Sequence, residues 1–334
     1  MKNIVLMADR VADFASESSK SRKFEYTSDS SFDPLFSALC EISPKVYHYD
    51  SPSALLDNIA KHSNDIVVTV WSGEKSRNRK AIIQSICEGY NIPYVGADSF
   101  LQIISADKHL SKVVCEPYGI LGAKDVLISS IDDLWKAKSL KFPVVIKPNL
   151  EGGSIGISQD SVALCYEDLA PICEQLLPLF TPLIVEEYLQ GEEINVCIAG
   201  VNGQIDVFQA VRQNLQDKTF FTSEILSVEV KKINSPIRST EIVTKDIVTN
   251  EFPQKEKEKL IALFNSLGKA EVMRIDGRLF NNEFRLIELT PDCSLSQTAS
   301  VNTAFQASGY SYPQMFQLLI DNTIKAWEFE NTSI

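Results

Sequence analysis

At 334 residues, 44% hydrophobic and 23% charged, the chain is long enough for two or three domains with sizeable cores. Its formal net charge of −12 excludes a polyanion as principal partner, so nucleic acid is not expected, although a local basic loop can still take a phosphate. Seven cysteines without a CxxC pair read as reduced thiols of a cytoplasmic protein, and three histidines without metal-ligand spacing argue against zinc.

Lys2 to Ala8 is short, apolar and β-branched; it is read as a buried parallel strand rather than a signal peptide. The Ser-rich stretch from Asp9 to about Ser31 has no periodicity and is expected to be a functional or mobile loop. A helix from Pro34 to Ile42, a strand from Val46 to Tyr49 and a helix opened by Ser51 and Pro52 follow. Next come a strand from Ile66 to Trp71, a helix near Asn78 to Tyr90 and a short strand at Pro93 to Val95. Such alternation predicts a doubly wound sheet, with Asp9 and the loop SGEKSRNRK (72–80) at the strands' carboxyl ends, where ligands gather. The run IVVTVW (66–71) is far too short to span a bilayer, so no membrane partner is expected.

A boundary is expected near 97–106, with units 1–104, 105–185 and 186–330. In the second unit a strand at Phe142 to Lys147, a glycine-rich turn, a helix at Glu167 to Leu177 and the strand LIVEEY are predicted. Asn202-Gly203 marks a hairpin. The polar segment 211–250 is a candidate cover for a cleft, Pro253 opens a helix ending at Gly268, and helices near Leu295 to Ala307 and Pro313 to Trp327 close the chain. Between them, EVMRIDGRLFNNEFRLIELTPD (271–292) reads as two strands joined by a three-residue turn at Asn281, Asn282 and Glu283. That turn sets Asp276 opposite Glu288 and Arg274 opposite Thr290, which is either an ordinary hairpin with charges on its wet face or a carboxylate pair whose repulsion a hard cation such as magnesium relieves.

Three further stretches carry chemistry. In KPNLEGGSIGIS (147–158), Lys147 precedes Gly152, Gly153 and Ser154, a turn able to cradle an anion although neither Walker A nor GxGxxG fits. In VEEYLQGEEINV (185–196), Glu186 and Glu193 can accept from an adenine amino group and a ribose. Lys108 lies on a predicted helix in SADKHLSK.

In this order the four stretches resemble the ATP-grasp ligases, most closely the D-alanine–D-alanine ligase group, over roughly two-thirds of the chain (71–300). The resemblance implies an α/β (α+β) fold, an ATP-grasp body preceded by an N-terminal doubly wound (preATP-grasp) domain. It implies phosphate contacts at Lys108 and Lys147, a phosphate-covering loop at Gly152, Gly153 and Ser154, and nucleotide contacts at Glu186, Leu189 and Glu193. Arg274 would face the transferred phosphate, and Asp276 and Glu288 would hold Mg2+ or Mn2+, with Thr290 or Asp292 as a third ligand in place of the group's asparagine. The implied reaction phosphorylates a carboxylate with ATP and couples the acyl phosphate to an amine; Lys147, Ser154 and Arg274 are the catalytic candidates. The partners are small carboxylate and amine substrates, and the resemblance suggests a homodimer.

The group's N-terminal D-alanine motif has no counterpart in MADRVADFASESS, and its HG…GEDG and NTxPG segments are replaced by WSGEKSRNRK and TPDCSLS. These departures predict an amino acid or small peptide other than D-Ala-D-Ala, with Arg77, Arg79 and Ser294 as candidate substrate contacts and Lys75 and Lys80 completing a basic loop. The alternatives are an authentic D-alanine–D-alanine ligase and an ATP-binding protein without catalysis.

Overall fold

The computed structural model describes residues 2–11, 21–216, 218–226 and 243–332, the side chains of 329–332 excepted. The four apolar residues of β1 (Ile4–Met7) are buried on both faces, which suits a central parallel strand. Parallel strands β4 (Val46–Tyr49) and β5 (Ile66–Thr69) flank it, and β6 (Tyr94–Val95) extends the sheet in the order β4-β1-β5-β6. Helices α1 (Asp29–Ile42), α2 (Pro52–Leu56) and α3 (Ile82–Gly89) connect these strands. The loop expected after β1 carries a short ribbon, β2 (Arg10–Val11) with β3 (Thr27–Ser28), and a helical turn at Arg22–Glu25; residues 12–20 lie outside the described residues.

Two helices lead out of this sheet. Asp98 caps α4 (Ser99–Ala106) by accepting from the Leu101 amide at 2.7 Å, and Asp107 caps α5 (Lys108–Cys115) through the Leu110 amide at 3.0 Å. Asp107 also accepts from the Asn149 side chain at 2.8 Å, and the Lys108 amide donates to the Asn149 carbonyl at 3.1 Å. The start of α5 is thereby tied to the end of β8 (Val144–Pro148).

The second sheet is antiparallel, β7-β10-β8-β9, from β7 (Asp125–Ile128), β8, β9 (Val162–Ala163) and β10 (Leu183–Glu187). Helix α6 (Leu169–Leu176) covers it with Leu169, Cys173 and Leu176. The third sheet runs β14-β12-β11-β15-β16, with β13 (Phe220–Phe221) on the margin of β11. Its hairpin of β11 (Gly191–Val201) and β12 (Gln204–Leu215) turns at Asn202 (φ 52°) and Gly203 (φ 81°), the left-handed pair that a two-residue turn needs. Of the expected covering segment 211–250, Val211 to Leu215 continue β12 and Val243–Ile247 form β14, while 227–242 lie outside the described residues. Helices α7 (Gln254–Ser266), α8 (Ser300–Ala307) and α9 (Tyr312–Thr332) follow, α8 starting five residues later than the sequence predicts. No helix among the described residues is long and apolar enough to cross a membrane.

The last hairpin, β15 (Val272–Phe280) and β16 (Glu283–Thr290), keeps the expected pairs Asp276–Glu288 and Arg274–Thr290, but the expected turn is corrected. Phe280 pairs with Glu283, so the turn holds two residues, Asn281 (φ 51°) and Asn282 (φ 62°). Asparagine tolerates the left-handed region that this turn demands twice. A bulge between Asp276 and Gly277 leaves Ile287 without a partner, and that extra residue shifts the register back by one. Turn and bulge together set the carboxylates face to face.

Gly277 is fixed by close approach: a Cβ there would lie 2.4 Å from the Arg285 carbonyl oxygen and 2.3 Å from the Phe284 ring. Gly277→Ala is therefore expected to cost about 1–3 kcal/mol of stability, read as a lower midpoint of urea unfolding.

Candidate functional site

A cavity of about 350 Å³ opens where the first sheet, the glycine-rich turn and the last hairpin meet. Lys80, Lys108, Arg274, Glu288, Gly152 and Gly153 stand on its wall. The buried Asp276 lies opposite Glu288 on one strand and opposite Asn195 on the other, so one face presents all three groups. Arg274 donates to both Asp276 oxygens at 2.7 Å, and Asn195 donates to Asp276 Oδ1 at 2.8 Å. Ser300 Oγ in turn donates to Asn195 at 2.9 Å. Burial raises the Asp276 carboxyl above its ordinary pKa against the pull of Arg274, and the facing Glu288 charge adds to the rise.

Cations converge on the acidic pair. Lys108 donates to the Glu151 carbonyl, and its Nζ lies 3.6 Å from Glu288. Burial lowers the Lys108 pKa despite Glu288, and Lys147 and Lys80 reinforce the drop. Such crowded ammonium groups favour an anion among them. Lys147 on β8 pairs with Glu186, which also pairs with Lys112 of α5. Burial pushes the Glu186 carboxyl up, but the two lysines more than reverse this and hold it at about 2. Glu193 lies 2.8 Å from Arg278, whose guanidinium sits 4.4 Å from the Phe221 ring centre. Leu189 is half-buried in a second concavity beside Tyr188.

In the glycine-rich turn, Gly153 (φ 59°) and Ser154 (φ 63°) are both left-handed, and Ser154 Oγ donates to the Leu226 carbonyl at 3.0 Å. Glu151, just before it, is gripped by Arg22 at 2.5 Å and Arg79 at 3.2 Å. Arg79, 1% exposed, also binds Glu25 at 2.6 Å, and Lys80 bridges Glu25 at 2.6 Å and Asp292 at 2.5 Å. Of the basic loop, Arg79 is thus a buried clamp, Lys80 reaches the cavity, and Arg77 is exposed 4.0 Å from Asp107. Asp292 and Ser294 also line the cavity, Ser294 donating to Ser296 at 3.1 Å. The Thr290 oxygen is buried without a hydrogen-bond partner among the described residues.

Sequence reading missed Arg22, Glu25, Lys112, Asn195 and Arg278. Only Asn195 had a readable signal, since it lies two residues after Glu193 in an alternating strand.

The donor set fits one kind of metal site. Asp276 and Glu288 are hard oxygen ligands held side by side, with the Thr290 oxygen on the same face. No group of three or more His, Cys, Asp or Glu side chains among the described residues is placed to hold a metal alone. Two carboxylates facing clustered lysines suit magnesium shared with a polyphosphate and water, rather than an all-protein cage.

Solved structures share this architecture across the whole chain and define its class as the ATP-grasp fold. A D-alanine–D-alanine ligase from Bacillus anthracis complexed with ATP superposes with a TM-score of 0.72 at 16% identity, covering 99% of this chain and 100% of that one. VanG D-Ala:D-Ser ligase from Enterococcus faecalis gives 0.70 at 18% identity, covering 96% and 99%. By sequence, the D-alanine–D-alanine ligase of Fervidobacterium nodosum is 24% identical over 251 residues, 71% of this chain and 76% of its own. The family model described as D-ala D-ala ligase C-terminus matches residues 122–321, so the chain belongs to the D-Ala-D-Ala ligase family of ATP-grasp enzymes that form carbon–nitrogen bonds.

The Glu186 pair of lysines predicts an acid dependence. A carboxyl held at about 2 when folded adds stability above its unfolded pKa, and that stability is lost as pH falls toward 2. Glu186→Gln should lower stability at pH 7 and flatten its fall between pH 5 and 2 by roughly 3 kcal/mol, measured by urea unfolding across that range.

Proposed function

We propose that the chain is an ATP-dependent carboxylate–amine ligase acting through an acyl phosphate, with an amino acid or small peptide other than D-Ala-D-Ala as substrate. The observation that carries it is the convergence of Lys80, Lys108 and Arg274 with Glu288 on one cavity wall, beside the Gly152–Gly153 turn. Lys108 and Lys147 would bind the phosphates, with Gly152, Gly153 and Ser154 closing over them. Glu186 would orient Lys147 and accept from the adenine amino group, Leu189 would meet the adenine edge, and Glu193 would accept from the ribose. Asp276 and Glu288 would hold Mg2+, with Thr290 as the third oxygen, because Asp292 is engaged by Lys80. When bound, the metal neutralises charge that develops on the transferred phosphoryl group. Arg274 would then exchange Asp276 for that group, a bidentate partner for a bidentate partner.

On the substrate side, Lys80 and Asp292 form a pair of opposite charges at the cavity, which a zwitterion can match with its carboxylate and ammonium. Arg79 and Arg22 would act through Glu151, holding the glycine-rich turn. The chain would divide into units 1–104, 105–185 and 186–330, and seven free thiols support a reduced, cytoplasmic setting.

Assaying ADP release against a panel of D- and L-amino acids tests this reading. Turnover is expected with an amino acid other than D-alanine, and release with D-alanine alone would restore the D-alanine–D-alanine assignment. Glu288→Gln should lower Mg2+-dependent turnover by about 100-fold or more; an unchanged rate would remove Glu288 from the metal site.

A further inference from the structure

The cavity wall has a polar feature that the phosphate chemistry does not use. Its charged residues are already paired: Lys80 with Glu25 and Asp292, Lys108 with Glu288, Arg274 with Asp276, and Glu151 with Arg22 and Arg79. Besides Thr290, two uncharged side chains are not. Gln84 on α3 and Gln102 on α4 both line the cavity, each is 3% exposed, and the Oε1 of each is buried without a hydrogen-bond partner among the described residues. The cavity lining includes the apolar Leu35, Val68, Val95 and Leu295 as well as the ions. Buried carboxamides in such a setting cost stability unless something pairs with them, and two on one cavity wall point to a ligand group that does.

We infer that Gln84 and Gln102 read the side chain of the amino-acid substrate, and that this side chain carries an uncharged hydrogen-bonding group, a carboxamide or a hydroxyl. The inference rests on the ligase reading above and adds the substrate class. A charged side chain placed against the two glutamines would be stripped of water beside carboxamides that carry no counter-charge. An apolar side chain would displace water from the glutamines and leave both amides unpaired. A carboxamide or hydroxyl donates and accepts at once, so it can meet either orientation of the glutamine amides. Sites built this way reject the analogue that lacks the polar group far more strongly than apolar pockets reject an extra methylene.

The test compares kcat/KM for ADP release by the full chain on near-isosteric pairs, asparagine against leucine and threonine against valine, as both enantiomers. The hydrogen-bonding member of the best pair should exceed its apolar isostere by about tenfold or more, and Gln102→Leu and Gln84→Met should each shrink that ratio. A smaller ratio, a preference for the apolar member, or a ratio unchanged in both variants overturns the inference while leaving the ligase reading intact. The wild-type ratio decides the matter even if a variant fails to fold. Absence of turnover on every amino acid and dipeptide, from protein that still binds ATP, overturns the ligase reading and this inference with it.

Discussion

Two carboxylates, Asp276 and Glu288, face one another across the last hairpin, and much of the surrounding structure answers the cost of holding them there. Arg274 neutralises one from the same strand, Lys108 approaches the other from α5, and Asn195 supplies a neutral donor from the neighbouring strand. These groups come from four elements, β11, β15, β16 and α5, so the site exists only once those elements have packed. The tie between α5 and the end of β8, through Asp107 and Asn149, brings Lys108 to the hairpin and to the glycine-rich turn together.

A second chain of charges ties the basic loop to the glycine-rich turn and to the end of the last hairpin. Arg22 and Arg79 hold Glu151, Arg79 and Lys80 hold Glu25, and Lys80 reaches Asp292 beyond the hairpin. Burial pushes the Glu25 carboxyl up, but its two cations hold it at about 2, so this link stays ionised through the neutral range. Removing one member would leave another charge buried and unpaired, which is why the basic loop, the helical turn Arg22–Glu25 and the glycine-rich turn must order together.

Much of this was legible because it is local. Alternation along 271–292 gave the faces of Arg274, Asp276, Glu288 and Thr290, and short apolar runs gave the parallel strands. The carboxylate pairing was reached through a three-residue turn that does not exist; a two-residue turn and a bulge restore the same register, and nothing in the alternation announces a bulge. The remaining site residues depend on distant partners. Lys112 sits one helical turn from Lys108 but meets Glu186, 74 residues away, and Glu25 lies in a stretch without periodicity yet meets Lys80, 55 residues on. Arg79 reads from the sequence as a candidate substrate contact because spacing carries no sign of burial; three dimensions place two carboxylates around it.

The central claim is that Asp276 and Glu288 hold a metal jointly with a nucleotide. The most direct measurement is an anomalous difference map from crystals grown with ADP and Mn2+ in place of Mg2+. The account predicts a peak within coordination distance of the Asp276 and Glu288 carboxylates, with Arg274 turned from Asp276 toward the phosphates. A metal bound away from both carboxylates, or Arg274 still closed on Asp276 with nucleotide present, would contradict it.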